Sequence, residues 1–389
     1  MIRVLSYRTP EEARRRLDFL GVPEGERSGL LAQLRPYLLF VPGDPETLLK
    51  LSRLLAVRAI PAAAAGRGMV FSVSGEEGLP GESKEAGNAG AGALLRGVRE
   101  ALRRFGQSRL FVPCRDRVLE LGDRPRIMGI LNVTPDSFSD GGRFLNREAA
   151  VRHGLAMAAE GADLLDVGGE STRPGSEGVT PEVERERVVP VIRELSRQTD
   201  LPISVDTTKA SVAREAVAAG ARIVNDTSAL GDDPEMAAAV AESGCAVVLM
   251  HRRGIPRTMQ DAPRYESLFG ELLSELSERV EAAVAAGIPR ERILVDPGIG
   301  FGKRPSDNLA LHRHLADLKL LGRPLVVGPS RKSFLGRITG RPETERGYAT
   351  AAAVAIAAWQ GAHVLRVHDV REMADAVRVA HGILAGEEC

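Results

Sequence analysis

Cysteine is nearly absent: Cys114, Cys245 and Cys389 are the only three in 389 residues, far apart and in no C-x-x-C arrangement. That spacing excludes a disulfide framework or a thiolate metal site and reads as reduced thiols in a cytosolic protein. Net charge is missing too. The 52 basic and 52 acidic residues cancel, so nothing global draws the chain to nucleic acid or an acidic membrane, and any anion site is local. No apolar run approaches the length of a membrane span, and the opening stretch MIRVLSYRTPEEARRR lacks the layout of a signal peptide. Aromatics make up only 4%, beside 43% hydrophobic and 27% charged residues. That is ordinary globular composition with enough apolar material for a sizeable core. None of the seven histidines precedes His153, so any imidazole chemistry belongs to the later part of the chain.

The length suits a barrel of roughly 250 residues plus something smaller. Residues 1–106 read as a small α/β domain. Ile2–Leu5 and Met69–Val73 suit strands, and Leu38–Val41 is an apolar run. Thr9-Pro-Glu-Glu is a capping-box start for a helix, and Pro45–Leu55 suits another. Gly75–Gly92 reads as a surface loop, and Leu94–Arg104 as a basic amphipathic helix with a solvated face. No chemical constellation appears in this part.

From residue 107 to 389 the pattern is regular. A short hairpin, Arg109–Pro113 and Val118–Leu121, comes first. Eight β-branched runs follow, at Ile127–Leu131, Leu164–Val167, Ile203–Val205, Ile223–Asn225, Ala246–Met250, Ile293–Val295, Leu325–Val327 and Val364–Val367. Each precedes a helical pattern: 148–160, 182–196, 212–219, 235–242, 265–286, 309–318, 349–360 and 371–384. Eight strand–helix pairs are the count of a (β/α)8 TIM barrel. The rival, an open doubly wound sheet, usually carries a Gly-rich fingerprint after its first strand. Here that place holds Asn132-Val-Thr-Pro-Asp.

The functional face of such a barrel lies at the strand C-termini. Read in order, those ends carry Asn132; Asp166 and Gly168–Gly175; Asp206; Asn225 and Asp226; Met250 and His251; Asp296–Phe301; Gly328–Lys332; and Arg366, His368 and Asp369. Buried polar groups cost free energy unless paired, so a polar group at every strand end indicates a polar ligand in the mouth. Asp206, Asn225 and Asp296 suit a planar heterocycle with an amidine-like edge, since two N–H donors can meet one carboxylate. Arg173, Lys332, Arg366 and His368, with Asn132, suit a phosphate-type anion and its magnesium. A heterocycle bearing a pyrophosphate satisfies both sets.

Plainer readings compete. Asp206 and Asp296 could be ion partners of Lys332. His251 could simply hold a strand end, Met250 is more often core, and His312 and His314 lie on a helix pattern that suits surface or packing roles. Gly298-Ile-Gly-Phe-Gly-Lys303 looks like a phosphate loop but fails its spacing rule. It reads as a flexible βα loop whose Phe301 could pack on a ring.

The motifs resemble those of bacterial dihydropteroate synthases. Met128-Gly-Ile-Leu-Asn-Val-Thr-Pro-Asp-Ser-Phe-Ser-Asp-Gly-Gly142 is similar to the first family signature and Asp166-Val-Gly-Gly-Glu-Ser-Thr-Arg-Pro-Gly175 to the second. Ser204-Val-Asp-Thr, Val224-Asn-Asp, Leu249-Met-His, Asp296–Lys303, Gly328–Ser333 and Arg366–Val370 follow in the family's order. The resemblance spans about residues 109–385. It implies a pterin site of Asp206, Asn225, Met250, Asp296, Phe301, Gly328 and Lys332. It implies that Asn132, Arg173, Arg366 and His368 take the pyrophosphate, with Mg2+ on Asn132, and that Asp206, Lys332 and Arg173 are catalytic. Phe138, Thr172, Pro174 and Ser330 would form the aminobenzoate pocket. The reaction implied joins 6-hydroxymethyl-7,8-dihydropterin pyrophosphate to 4-aminobenzoate and releases pyrophosphate. A homodimer comes with the resemblance, and the cysteine usage places it in the cytoplasm. Arg252-Arg253 depart from the Met-Gln pair common after the family's histidine, which makes that loop more basic.

Two other functions would fit a pterin-binding barrel. A methyltransferase domain serving a corrinoid protein would share the acidic groups but would not need Ser171–Gly175 or the anion set of Lys332, Arg366 and His368. A noncatalytic pterin-binding barrel would have lost a reactive-site residue, and none is lost here.

Overall fold

In a computed structural model of the chain the residues described are 3–6, 37–42, 59–62, 68–73, 89–107, 109–134, 143–171, 178–255 and 257–386. They fall into two compact units, one of residues 1–107 with 269–274 and 316–322, the other of residues 108–268, 275–315 and 323–389. In the first unit β1 (Arg3–Ser6), β2 (Tyr37–Pro42), β3 (Ala59–Ala62) and β4 (Gly68–Val73) form an antiparallel sheet in the order β1-β2-β4-β3. The helix α1 (Ala89–Gly106) buries Leu95, Val98, Leu102 and Phe105 along one stripe, the spacing of an amphipathic face. The strand β3 was not foreseen, and α1 starts inside the supposed Gly75–Gly92 loop, running through Gly90 and Gly92. Glycine lowers helix propensity by about 1 kcal/mol, and the apolar stripe beyond it prevails. The helices expected after Thr9 and over Pro45–Leu55 lie outside the described residues.

The second unit opens with the hairpin β5 (Leu110–Cys114) and β6 (Arg117–Leu121). Eight parallel strands follow: β7 (Arg126–Asn132), β8 (Leu164–Gly168), β9 (Ile203–Asp206), β10 (Ile223–Asp226), β11 (Ala246–Met250), β12 (Ile293–Asp296), β13 (Val326–Val327) and β14 (Val364–Val367). They run β12-β11-β10-β9-β8-β7-β14-β13, and a parallel bridge from Val295 to Leu325 joins the two ends. The sheet is therefore a closed TIM barrel.

Its helices are α2 (Arg143–Ala159), α3 (Pro181–Gln198), α4 (Ala210–Ala219), α5 (Met236–Ser243), α6 (Leu268–Ala285), α7 (Pro305–Arg313), α8 (Ser333–Thr339), α9 (Gly347–Trp359) and α10 (Val370–Ala385). The pattern read as a helix over 309–318 is two elements. The α7 helix ends at Arg313, and a 3-10 segment spans Leu315–Leu321. The short α8 was not legible in the periodicity. No helix among the described residues is long and apolar enough to cross a membrane.

The hairpin decides which end of the barrel is open. Leu110, Val112, Cys114, Leu119 and Leu121 bury themselves against Met128, Leu164, Ile223, Ala246 and Leu294, which lie in the first half of their strands. Each such aliphatic side chain contributes about 1.5–3 kcal/mol when fully buried. The hairpin thus plugs the N-terminal end and leaves the C-terminal mouth for a ligand. Cys114 and Cys245 are buried and unpaired, with their thiols pushed up by burial.

Candidate active site

The parallel register sets the strand-end groups at nearly one level. Asp206 pairs across the ladder with Asn225 and Gly168, and Met250 with Asp296. Asp166, Asp206, Asn225 and Asp296 are all buried. Arg366, from β14, reaches past β7 to groups on β8 and β9. Its Nε donates to Asp166 Oδ2 at 2.6 Å and its Nη2 to Asp206 Oδ2 at 2.7 Å. Asn225 Nδ2 also donates to Asp166 Oδ2, at 3.0 Å. That bond fixes the amide and leaves its carbonyl oxygen for a ligand.

One guanidinium thus serves two buried carboxylates. The second oxygens, Asp166 Oδ1 and Asp206 Oδ1, are buried and have no partner among the described residues. Burial raises Asp206 to about 7, although Arg366 pulls it down. Burial also lifts Asp296 to about 6, against the opposing Gly298 N–H and the charges of Lys332, Arg366 and Lys303. Burial opposes charge on Arg366, but Asp166 and Asp206 together hold its guanidinium above the usual value. The floor is therefore rich in acceptors and one step short of cations, an environment that wants N–H donors.

The rim is built differently. Arg331 adopts a left-handed φ of 56°, which costs a non-glycine residue about 1–2 kcal/mol. Its backbone N–H donates to Thr350 Oγ1 at 3.1 Å, its carbonyl accepts from Arg346 at 2.8 Å, and its guanidinium pairs with Asp369. These ties hold the turn that carries Ser330 and Lys332. Ser330 is buried, and its hydroxyl lies 2.9 Å from His368 Nδ1 while accepting from the His368 N–H at 3.2 Å. Lys332 Nζ sits 4.1 Å from the centre of the Phe301 ring, a cation–π distance. Phe301 clusters with Met250 and Met259. Burial and the neighbouring Arg366 depress His368 to about 3. It is a neutral donor, not a cation.

Several readings change. The ion partner of Asp206 is Arg366 and not Lys332, and Asp166, for which the motifs imply no role, is the hub of the floor. Asp226 does not face the mouth. Its carboxylate accepts from Ser228 N at 2.7 Å, Ser228 Oγ at 2.6 Å and Leu230 N at 3.0 Å, and so builds a turn. His312 and His314 are buried on or beside α7, the packing role. Arg252 pairs with Asp232 at 2.7 Å and Arg253 pairs with Glu275, so the extra charge of that loop is matched locally. Phe138, Thr172, Arg173 and Pro174 lie outside the described residues.

Asn132, at the end of β7, is half-buried. Among the described residues no group of three or more His, Cys, Asp or Glu could hold a metal. One amide oxygen fits a hard cation that arrives on a phosphate and keeps most of its water.

The sequence profile of the family described as "Pterin binding enzyme" matches residues 128–368. The chain is 45% identical over 273 residues to a dihydropteroate synthase of Synechocystis sp., covering 70% of this chain and 94% of that protein. A Xanthomonas albilineans dihydropteroate synthase solved with 4-aminobenzoic acid is 51% identical, with a TM-score of 0.67 over 71% of this chain and 99% of that one. The enzyme of the same organism solved with 7,8-dihydropteroate is 48% identical, with a TM-score of 0.64 over 71% of this chain and 99% of that one.

Proposed function

The chain belongs to the dihydropteroate synthases of the pterin binding enzyme family, and we propose how its own residues carry the reaction. That reaction joins 6-hydroxymethyl-7,8-dihydropterin pyrophosphate to 4-aminobenzoate and expels pyrophosphate. The observation that carries the assignment of roles is the floor of the barrel, where two buried carboxylate oxygens without a partner among the described residues lie beside one guanidinium.

The donor-rich edge of a pterin matches the free oxygen of Asp206, the carbonyl of Asn225 and the carboxylate of Asp296. Met250, Phe301 and Gly328 line its slot, and Lys332 reaches it across Phe301. Of the five N–H groups on a guanidinium, Arg366 spends two on Asp166 and Asp206 among the described residues, which leaves three to offer the pyrophosphate. Arg366 is therefore a wedge between the acids and the leaving group. As the C–O bond breaks, positive charge spreads into the pterin and negative charge onto the pyrophosphate. Asp206 faces the first, and Arg366 with neutral His368 faces the second, where the motif alone also assigns Arg173. Such preorganised electrostatics needs no reorganisation at the moment of reaction. Mg2+ bound with the pyrophosphate at Asn132 would neutralise part of the leaving charge.

The amine of 4-aminobenzoate is unprotonated near neutral pH and needs no strong base. Phe138, Thr172 and Pro174 are assigned to its pocket on the motifs alone. Ser330 contributes by orienting His368 at the same rim.

The assembly we propose is a homodimer in the cytoplasm. Its support is an apolar groove between α9 and α10, lined by Ala355, Ile356, Trp359, Val379 and Ile383. Ile356, Trp359, Val379 and Ile383 are 43–66% exposed, a patch that a second copy would cover. The free thiols Cys114 and Cys245 suit a reducing compartment.

Turnover tests the reading. Pyrophosphate should appear only when both the pterin pyrophosphate and 4-aminobenzoate are present. Methyl transfer from a methylated pterin to a corrinoid, without pyrophosphate release, would establish the rival instead.

A further inference from the structure

Lys303 is a lysine with only 2% of its surface exposed, yet none of the roles above uses it. It closes the loop after β12, and that loop is wedged against the segment after β11. Gly298 and Gly302 have φ of 66° and 57°. A Cβ on Gly298 would lie 2.0 Å from the His251 carbonyl oxygen, and one on Gly302 would lie 2.5 Å from that of Arg253. Only glycine permits both the backbone turn and the approach. The contact brings Lys303 Nζ to three acceptors: His251 Nδ1 at 3.0 Å, the Phe301 carbonyl at 3.0 Å and the His251 carbonyl at 3.3 Å.

The protonation of this cluster follows from its outer end. Hydrogen bonds from His251 and Arg253 hold Glu275 at about 2, so it is a carboxylate. His251 Nε2, 2.9 Å from that carboxylate, must carry the hydrogen. Burial and the charge of Lys303 keep the ring neutral, which makes Nδ1 an acceptor. Three acceptors around Nζ match the three N–H groups of an ammonium, whereas an amine would set its lone pair against one of them. Burial draws Lys303 down to about 7, with Asp296, Glu275 and Asp307 already acting to keep the charge and Arg253 opposing them, so the ammonium prevails below that value.

We infer that Lys303 is a positioning residue of the synthase: its buried ammonium, held by His251 and through it by Glu275, fixes the loop that carries Phe301 and keeps Asp296 ionised for the pterin. The loop provides the link. Gly298 N donates to Asp296 Oδ1 at 2.7 Å, and the Phe301 carbonyl accepts from Lys303 two residues along the chain. Tyr265 completes the clamp by donating to the Gly302 carbonyl at 2.8 Å. The charged groups that act on Asp296 are Lys332, Arg366 and Lys303. Lys332 and Arg366 face the ligand, whereas Lys303 is committed to protein acceptors.

The inference rests on the pterin reading of Asp296, and its test separates the two. The binding of 6-hydroxymethyl-7,8-dihydropterin pyrophosphate is measured by calorimetry from pH 5.5 to 8.5 for wild type, Lys303→Met and Lys303→Gln. Gln keeps two N–H donors and serves if the Met variant does not fold. The quantity read is the ratio of wild-type to variant affinity, in which the ligand's own titration cancels. Asp296 titrates near 6 with Lys303 in place, and loss of one nearby charge moves it up by about one unit. The ratio should then be about fivefold at pH 6 and close to one by pH 8.5. A ratio of one throughout, or a loss of affinity that is the same at every pH, overturns the inference. The first would mean Lys303 does nothing for binding, and the second that it only packs the loop. Wild type that fails to bind the pterin at any pH would sink the underlying assignment and the inference with it.

Discussion

Replacing Arg366 by Met probes the floor of the barrel most sharply. Methionine keeps much of the aliphatic volume and removes the cation that bonds Asp166 and Asp206 at 2.6 and 2.7 Å. Breaking a buried pair by removing one partner costs roughly 3–5 kcal/mol, because a charge stays behind unpaired. Part of that cost is avoidable, since Asp206 can take up a proton. The sign is set by its raised value. An acid whose folded-state pKa exceeds the unfolded one stabilises the fold at low pH, and that contribution disappears as pH rises through the folded value. In wild type that loss is complete near 7. Without Arg366 it moves higher. At pH 6 both proteins hold the Asp206 proton, and the variant should be less stable by about 3 kcal/mol. At pH 8.5 wild type has released it while the variant still clings to it, which adds about 2 kcal/mol at 1.36 kcal/mol per unit. Urea unfolding of the ligand-free protein at the two pH values measures both terms, with Trp359, the sole tryptophan, as a reporter in the barrel. Adding Asp206→Asn to Arg366→Met should abolish the pH-dependent part. Equal stability of wild type and variant, or a deficit that does not grow with pH, would refute the reasoning.

Two further outcomes follow from the rim and the groove. Lys332→Ala removes the cation above Phe301. It should weaken pterin binding and turnover together by about 10–100-fold, the worth of a charged hydrogen bond, as steady-state kinetics and calorimetry would show. Ile383→Glu puts a charge into the apolar groove between α9 and α10. Sedimentation should then show a monomer at concentrations where wild type is a dimer, and a wild-type monomer would remove the dimer proposal.

How much of this could be read from residues alone depends on the kind of signal. The barrel strands were legible because buried parallel strands are short β-branched runs. The motif-bearing loops announced themselves by polar groups at strand ends. What stayed hidden was who bonds whom. Asp166 and Arg366 are 200 positions apart, and only closure of the sheet brings β8 and β14 within reach on either side of β7. Lys303 looked like part of a failed phosphate loop. Its meaning depends on the glycines that press its loop onto the His251 carbonyl. Ser330 was assigned to the amine pocket by its motif, and its hold on His368 is a rim contact between segments following β13 and β14 that no local pattern encodes. The α1 helix was cut short because glycines near its start outweighed, on reading, a stripe that begins only at Leu95.

The central claim is that this barrel transfers a pterin methylene from pyrophosphate to an aromatic amine. A time course with 6-hydroxymethyl-7,8-dihydropterin pyrophosphate, 4-aminobenzoate and magnesium tests it most directly, with product identified by mass and pyrophosphate counted in parallel. The account predicts 7,8-dihydropteroate and pyrophosphate in equal amounts, with both rates falling together in Asp206→Asn. Pyrophosphate released without amine incorporation, or no release at all from folded wild type, would contradict it.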